Sequence, residues 1–198
     1  MKSQLVLVTG GAKSGKSVFA EQSLSDVAYV CYIATGVMTQ PDPEMQLRIQ
    51  THQKRRAEKN WATEERYQDV DAFITANHYD SYLLDDATML ITNLFYDGAT
   101  QLAADRHLSL DDAIEQMTSD DIDRLSQQIF DAWDHIVDAL RATHQSMVVV
   151  TNETGLGIVP ATKQTRILRD IYGQVNQRLA QAADHVYFVI SGLSQQLK

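Results

Sequence analysis

The chain has 198 residues, 44 % hydrophobic and 22 % charged, which is the composition of a soluble globular protein long enough for one full core. Its formal net charge of −9 argues against a broad nucleic-acid surface, since phosphate backbones are held mainly by clustered Lys and Arg; a small anion at a locally positive site stays open. Cys31 is the one cysteine, so an internal disulfide is excluded; its apolar setting fits a core filler, with a reactive thiol as the alternative.

In chain order, the apolar run Leu5–Val8 comes first. It meets Thr9 and two glycines too soon for a signal peptide or a membrane span, so a cytoplasmic protein without a membrane segment is expected. Leu5–Val8, Val30–Ala34, Tyr82–Leu84, Met147–Val150 and Val186–Ile190 predict five buried strands, each bounded by polar or small residues. Ile122, Leu125, Ile129, Trp133, Ile136 and Leu140 recur every three or four residues and predict a long helix; Ile167, Ile171, Val175 and Leu179 predict another. Strands alternating with helices predict a mainly parallel α/β sheet in a single domain spanning 1–198. The segment 97–118 is the least patterned and is expected to form a long excursion from the core.

The stretch "GGAKSGKS", Gly10 to Ser17, satisfies G-x-x-x-x-G-K-[ST] between a strand and a helix, the context that motif requires. Glycine lets the backbone curl so that successive N–H groups converge on phosphate oxygens, and the following helix adds its N-terminal dipole. Gly10, Gly11, Ala12, Lys13, Ser14, Gly15, Lys16 and Ser17 are therefore candidate nucleotide contacts. Lys16 is placed to reach the β/γ-phosphates, and the Ser17 hydroxyl to meet Mg²⁺. A second metal ligand is expected at the end of another strand, where Asp85 and Asp86 follow Leu84; Asp85 is the choice, and a solvated loop pair is the bland alternative. The strand ends Ala34-Thr35-Gly36 and Thr151-Asn152-Glu153 should border the nucleotide, because ligands of open α/β sheets sit beyond the strands' carboxyl ends. Glu153 is the residue there that turn chemistry alone does not explain.

"MQLRIQTHQKRRAEKNW" concentrates Arg48, Lys54, Arg55, Arg56 and Lys59 in an otherwise acidic chain. Two descriptions stand: a solvated charged helix with an incidental His52, or a cationic neighbour of the triphosphate with His52 as nucleophile. An imidazole with an ordinary pKa of ~6.5 is substantially neutral near pH 7 and can attack phosphorus to form a phosphoramidate.

Taken together, "LVTGGAKSGKS", "YIATG", "RIQTHQKRR" followed by Trp61, "LLDDATMLITNL", "VVVTNETGLGIVP", "RDIYGQVNQRLAQAAD" and "VYFVISG" resemble one family over nearly the whole chain. It is the bifunctional adenosylcobinamide kinase/adenosylcobinamide-phosphate guanylyltransferase family of cobalamin biosynthesis. The resemblance implies a P-loop NTPase-like three-layer fold and two reactions. ATP or GTP phosphorylates adenosylcobinamide, and GTP then donates GMP to adenosylcobinamide phosphate through a histidine adduct, which maps to His52. It also implies nucleotide contacts at Ala34, Thr35, Gly36, Gln53, Lys54, Arg55, Arg56, Glu65 and Asp85, and assembly as a homotrimer with the site near subunit boundaries. The chain departs from common family patterns at Thr51, where some relatives carry a second histidine, and at Ala57, where an Arg-Pro pair is usual. Two other assignments are a single-activity kinase of the same family and a non-covalent GTP-binding switch, which needs no nucleophilic histidine.

Overall fold

The computed structural model describes residues 3–37, 59 and 61–198. Strands β1 (Leu5–Gly10), β2 (Val30–Ala34), β3 (Ala62–Glu65), β4 (Ser81–Asp85), β5 (Ser146–Val150), β6 (His185–Ile190) and β7 (Leu193–Gln196) form one sheet in the order β3-β2-β4-β5-β1-β6-β7. All neighbours pair in parallel except β6 and β7, which form an antiparallel hairpin at the edge. The helices are α1 (Lys16–Ser23), α2 (Val70–Ala76), α3 (Ala87–Arg106), α4 (Leu110–Glu115), α5 (Ser119–Thr143) and α6 (Lys163–Ala182).

Strand alternation sorts the apolar side chains onto two faces. Leu5, Leu7, Ile33, Leu84, Met147 and Val149 turn to the face packed by Val70 and Ile74 of α2, Trp133 and Ile136 of α5, and Ile171 and Val175 of α6. Val8, Leu83, Val148 and Val150 turn to the opposite face, where Ala20 and Leu24 lie. Both faces of the central strands are thus buried, which is why those strands read as nearly continuous apolar runs. The result is the three-layer α/β architecture expected. Among the described residues no helix is long and apolar enough to cross a membrane.

The expected strands are all present, extended by up to two residues; Asp85, placed just past its strand by the sequence, is the last residue of β4. Two strands carry no apolar signal. The edge strand β3 reads "ATEE", and β7 reads "LSQQ" with all four residues exposed. Helix α5 carries the predicted seam, with Leu125, Ile129, Trp133, Ile136 and Leu140 buried. A reciprocal capping box starts it: Thr118 Oγ1 accepts from Asp121 N at 3.2 Å, and an Asp121 oxygen accepts from Thr118 N at 2.9 Å. That backbone bond, the Thr118 hydroxyl 2.9 Å from the same oxygen and the Arg106 guanidinium 2.8 Å away hold the Asp121 carboxyl down at about 2.

The segment 97–118 is not an excursion. It comprises the second half of α3, all of α4 and the cap of α5, and it buries Ala99, Ala103, Ala113, Ile114 and Met117. Its small residues concealed it: alanine and glycine bring α3 close to α5, where a Cβ on Gly98 would lie 2.8 Å from Leu125 Cδ1. Close packing by small side chains leaves a weak hydrophobic period.

Candidate functional site

Strand β1 delivers the chain to the phosphate-binding loop at the carboxyl end of the sheet. Gly10 still pairs with Val189 of β6, the loop follows, and α1 starts at Lys16 after Gly15, whose φ of 98° requires glycine. The loop leans on the β6–β7 turn: Gly192 N donates to Ser14 O at 2.8 Å, and a Cβ on Gly15 would stand 3.2 Å from Gly192 Cα. The terminal "VISG" therefore acts as a buttress, a role that no spacing in the sequence signals.

Loop and strand ends enclose a cleft of about 460 Å³ lined by Ala12–Val18, Asp85, Asp86 and Asn152. Lys16 is 7 % exposed and donates to Gly11 O at 3.0 Å, so its ammonium is held at the centre of the loop. Burial lowers its pKa, and the carboxylates of Asp86 and Asp85 oppose that shift. Ser17 Oγ donates to Asp85 Oδ1 at 3.3 Å, and Tyr32 OH donates to Asp85 Oδ2 at 3.1 Å. The structure thus brings together Ser17 and Asp85, the two residues the sequence selected as metal ligands. Among the described residues no cluster of three or more His, Cys, Asp or Glu exists to cage an ion. One hydroxyl and one or two carboxylates suit Mg²⁺, which keeps several waters and takes its remaining oxygens from phosphates.

Asp86 is a part of the cleft that the sequence left as the alternative to Asp85. It caps α3 by accepting from Met89 N at 2.8 Å and accepts from Asn152 Nδ2 at 3.0 Å; the Asp85–Asp86 peptide bond is cis. Burial, followed by the charge of Asp85, pushes its carboxyl up to about 6. Burial raises Asp85 as well.

Asn152 is fixed from two sides. Thr88 Oγ1 accepts from its backbone N at 3.1 Å and from its Nδ2 at 3.0 Å. Asn176 of α6 donates to its carbonyl at 3.1 Å and accepts from Thr151 Oγ1 at 2.8 Å. The Asn of "VNQ" therefore holds the Asn of "TNE" in place. Glu153, the residue the sequence singled out, does not line the cleft. Its backbone N donates to Gly10 O at 3.0 Å, and its carboxylate accepts from Gly155 N at 3.3 Å.

Of the other sequence candidates, Ala34 ends β2, and its carbonyl accepts from Arg66 N at 3.0 Å. Thr35 is fully buried; its hydroxyl spans the Asp86 backbone, donating to the carbonyl at 2.7 Å and accepting from N at 3.0 Å. That clamp ties β2 to the β4–α3 junction. Gly36 follows, half-buried. Glu65 ends β3 opposite Ala34, exposed at the sheet edge and away from the cleft lining. His52, Gln53, Lys54, Arg55 and Arg56 lie outside the described residues.

Residues 6–197 match the family model "Cobinamide kinase / cobinamide phosphate guanyltransferase". The chain is 38 % identical over 196 residues to the bifunctional adenosylcobalamin biosynthesis protein CobU of Escherichia coli K12, covering 98 % of this chain and 99 % of that protein. It is 39 % identical to the protein of the same name from Salmonella typhimurium, with the same coverage. Identity to the bifunctional adenosylcobalamin biosynthesis protein CobP of Pseudomonas aeruginosa is 30 %, covering 97 % of this chain and 96 % of that protein. A family match across almost every residue, with a phosphate loop facing a paired-carboxylate strand end, leads to one assignment: the chain belongs to the cobinamide kinase/cobinamide phosphate guanyltransferase family.

Proposed function

We propose that the protein is a bifunctional transferase of cobalamin biosynthesis that phosphorylates adenosylcobinamide with ATP or GTP and then converts adenosylcobinamide phosphate to adenosylcobinamide-GDP with GTP. The observation that carries this proposal is the Lys16–Ser17–Asp85 cleft in a chain that matches the family from residue 6 to 197. In the kinase step the substrate hydroxyl oxygen attacks the γ-phosphorus, the bond to the β-phosphate oxygen breaks, the nucleoside diphosphate leaves, and the hydroxyl proton is released to water. The loop N–H groups and Lys16 stabilise negative charge on the phosphate chain, and such pre-set charge stabilisation is the main protein contribution to phosphoryl transfer. Ser17 and Asp85 are the residues that would hold Mg²⁺, which when bound neutralises phosphate oxygens.

In the second step an imidazole nitrogen of His52 attacks the α-phosphorus of GTP, forming an N–P bond as pyrophosphate departs. A phosphate oxygen of the acceptor then attacks the same phosphorus, and the N–P bond breaks to release adenosylcobinamide-GDP. Gln53, Lys54, Arg55 and Arg56 are proposed nucleotide contacts beside that histidine, along with Gly10–Ser17, Ala34–Gly36 and Glu65. A cytoplasmic homotrimer with sites near subunit boundaries completes the proposal, supported by the family resemblance.

The test uses purified protein, Mg²⁺ and GTP labelled at the α- or the γ-phosphate, followed by denaturation and a search for acid-labile, base-stable protein label. Label from the α-position alone, absent in His52→Ala, is the expected outcome. Absence of covalent label from folded protein that still turns over the kinase reaction would reduce the chain to a single-activity kinase. GTP held without label or turnover would indicate a switch.

A further inference from the structure

Helix α6 carries a cation with nothing to hold among the described residues. Arg169 is half-buried, and its Nη1 is sealed from solvent without a hydrogen-bond partner among the described residues. Orphaned buried donors are rare, and on a guanidinium they carry the heavier desolvation cost of a charged group. Arg166, one turn earlier, donates to Pro160 O at 3.2 Å, and Arg178 pairs with Asp134 at 3.4 Å.

The position of Arg169 on the helix says what it faces. Arg169 and Asn176 are seven residues apart, so they lie within about 20° of one another around the axis and about 10 Å apart along it. Asn176 turns to Thr151 and Asn152, at the strand end that borders the cleft. Tyr172, three residues after Arg169, meets Thr92 of α3 at 2.7 Å. Arg169 thus continues the polar stripe that holds Asn152, toward the start of α6, to which the segment from Asn152 to Pro160 returns. That segment contributes a second orphan, Thr154 Oγ1, also buried and without a partner among the described residues. Arg169 is not among the residues lining the triphosphate cleft, whose anion already has Lys16.

We propose that Arg169 is a ligand for a second anion, the phosphate monoester of the acceptor in the guanylyl-transfer step, bound beside the nucleotide cleft between α6 and the segment that follows Asn152. This rests on the bifunctional assignment above. A planar guanidinium matches two oxygens of a phosphate dianion at once, whereas the neutral hydroxyl of the kinase-step substrate offers it no charge. Arg169 therefore discriminates between the two acceptors of one enzyme.

The experiment compares wild-type protein with Arg169→Gln and Arg169→Lys, after melting curves establish that each is folded. KM is measured for adenosylcobinamide phosphate, for adenosylcobinamide and for GTP. The expected result in Arg169→Gln is a 10- to 100-fold rise in the ratio of the first KM to the second, the range that corresponds to loss of charge-assisted hydrogen bonds. Arg169→Lys should recover part of it, because a lysine keeps the charge and loses the fork. A rise confined to the GTP KM would assign Arg169 to the nucleotide and overturn the proposal, as would three unchanged KM values. A binding arm needs no turnover: isopropyl phosphate is titrated into protein saturated with a non-hydrolysable GTP analogue and Mg²⁺. Binding by wild type and its loss in Arg169→Gln would support the anion site even if neither acceptor is turned over, which would count against the bifunctional assignment alone. No saturable binding by wild type would overturn the site.

Discussion

Gly10→Ala and Gly11→Ala differ by one position and should differ sharply in consequence. A Cβ on Gly10 would lie 2.4 Å from Val189 O and 2.8 Å from Ser14 Oγ. An ordinary carbon–oxygen contact begins at roughly 3.3 Å, so the backbone oxygen is about 0.9 Å too close. The Ser14 hydroxyl can rotate away, but Val189 cannot, because β6 is registered against β1 at that position and continues into the β6–β7 hairpin. Overpacking against backbone costs about 1–3 kcal/mol, which for a chain of this size lowers the melting temperature by ~2–12 °C. Around Gly11 a Cβ would meet nothing within 4 Å, so Gly11→Ala should stay within about 0.5 kcal/mol of wild type. The assay is thermal or urea unfolding of both variants without nucleotide, so that contacts with a phosphate do not enter. Equal destabilisation by the two substitutions, or a Gly10→Ala protein that unfolds like wild type, would refute the claim that β6 supports the phosphate loop from beneath.

Asp86 gives stability a pH dependence of defined sign. Its carboxyl sits at about 6 in the folded chain against an ordinary 3.8, so the folded state binds the proton more tightly, and stability falls as pH rises from about 4 to about 6. The loss is at most ~3 kcal/mol, and partial exposure to the cleft reduces it. Asp86→Asn, which preserves the helix cap, should flatten that part of a stability-against-pH profile measured by urea unfolding; parallel profiles would contradict it. Gln145 is 2 % exposed and makes four bonds: to Ile74 O at 3.0 Å, to Asn77 O at 3.1 Å, from Tyr79 N at 2.8 Å and from Tyr82 OH at 3.1 Å. Gln145→Leu removes all four bonds, leaving Tyr82 OH and Asn77 O only their 3.4 Å bond to each other, and should cost about 2–4 kcal/mol in unfolding experiments; a loss under 1 kcal/mol would mean that the freed groups find water.

The parts of this protein legible in its sequence are those whose physics is local. The strand–loop–helix around Gly10–Ser17 has a fixed spacing because successive N–H groups must converge on one phosphate chain. The α5 and α6 seams are equally plain, since each helix buries a single stripe. Strand β3 was invisible: an edge strand with one partner needs only backbone hydrogen bonds, and "ATEE" offers no apolar period. The site illustrates the same division. Asp85 follows from the need for an acid at a strand end, but Asn152 depends on Thr88 and Asn176, residues 64 and 24 positions away in the chain. Glu153 looked functional because it is acidic within a turn, and its carboxylate serves that turn.

The charges around the cleft explain how an acidic chain can hold a polyanion, and on what terms. Lys16 is the cation at the centre of the loop, and Asp85 and Asp86 stand near enough to raise its proton affinity against the effect of burial. With both carboxylates ionised, Lys13, Lys16, Asp85 and Asp86 of the cleft lining sum to zero charge, so a bare triphosphate is attracted chiefly by the loop N–H groups. A divalent ion, which Ser17 and Asp85 would hold, would make that sum positive, and its charge would offset the desolvation that raises both carboxyls. Charge balance would therefore favour nucleotide and cation together over nucleotide alone.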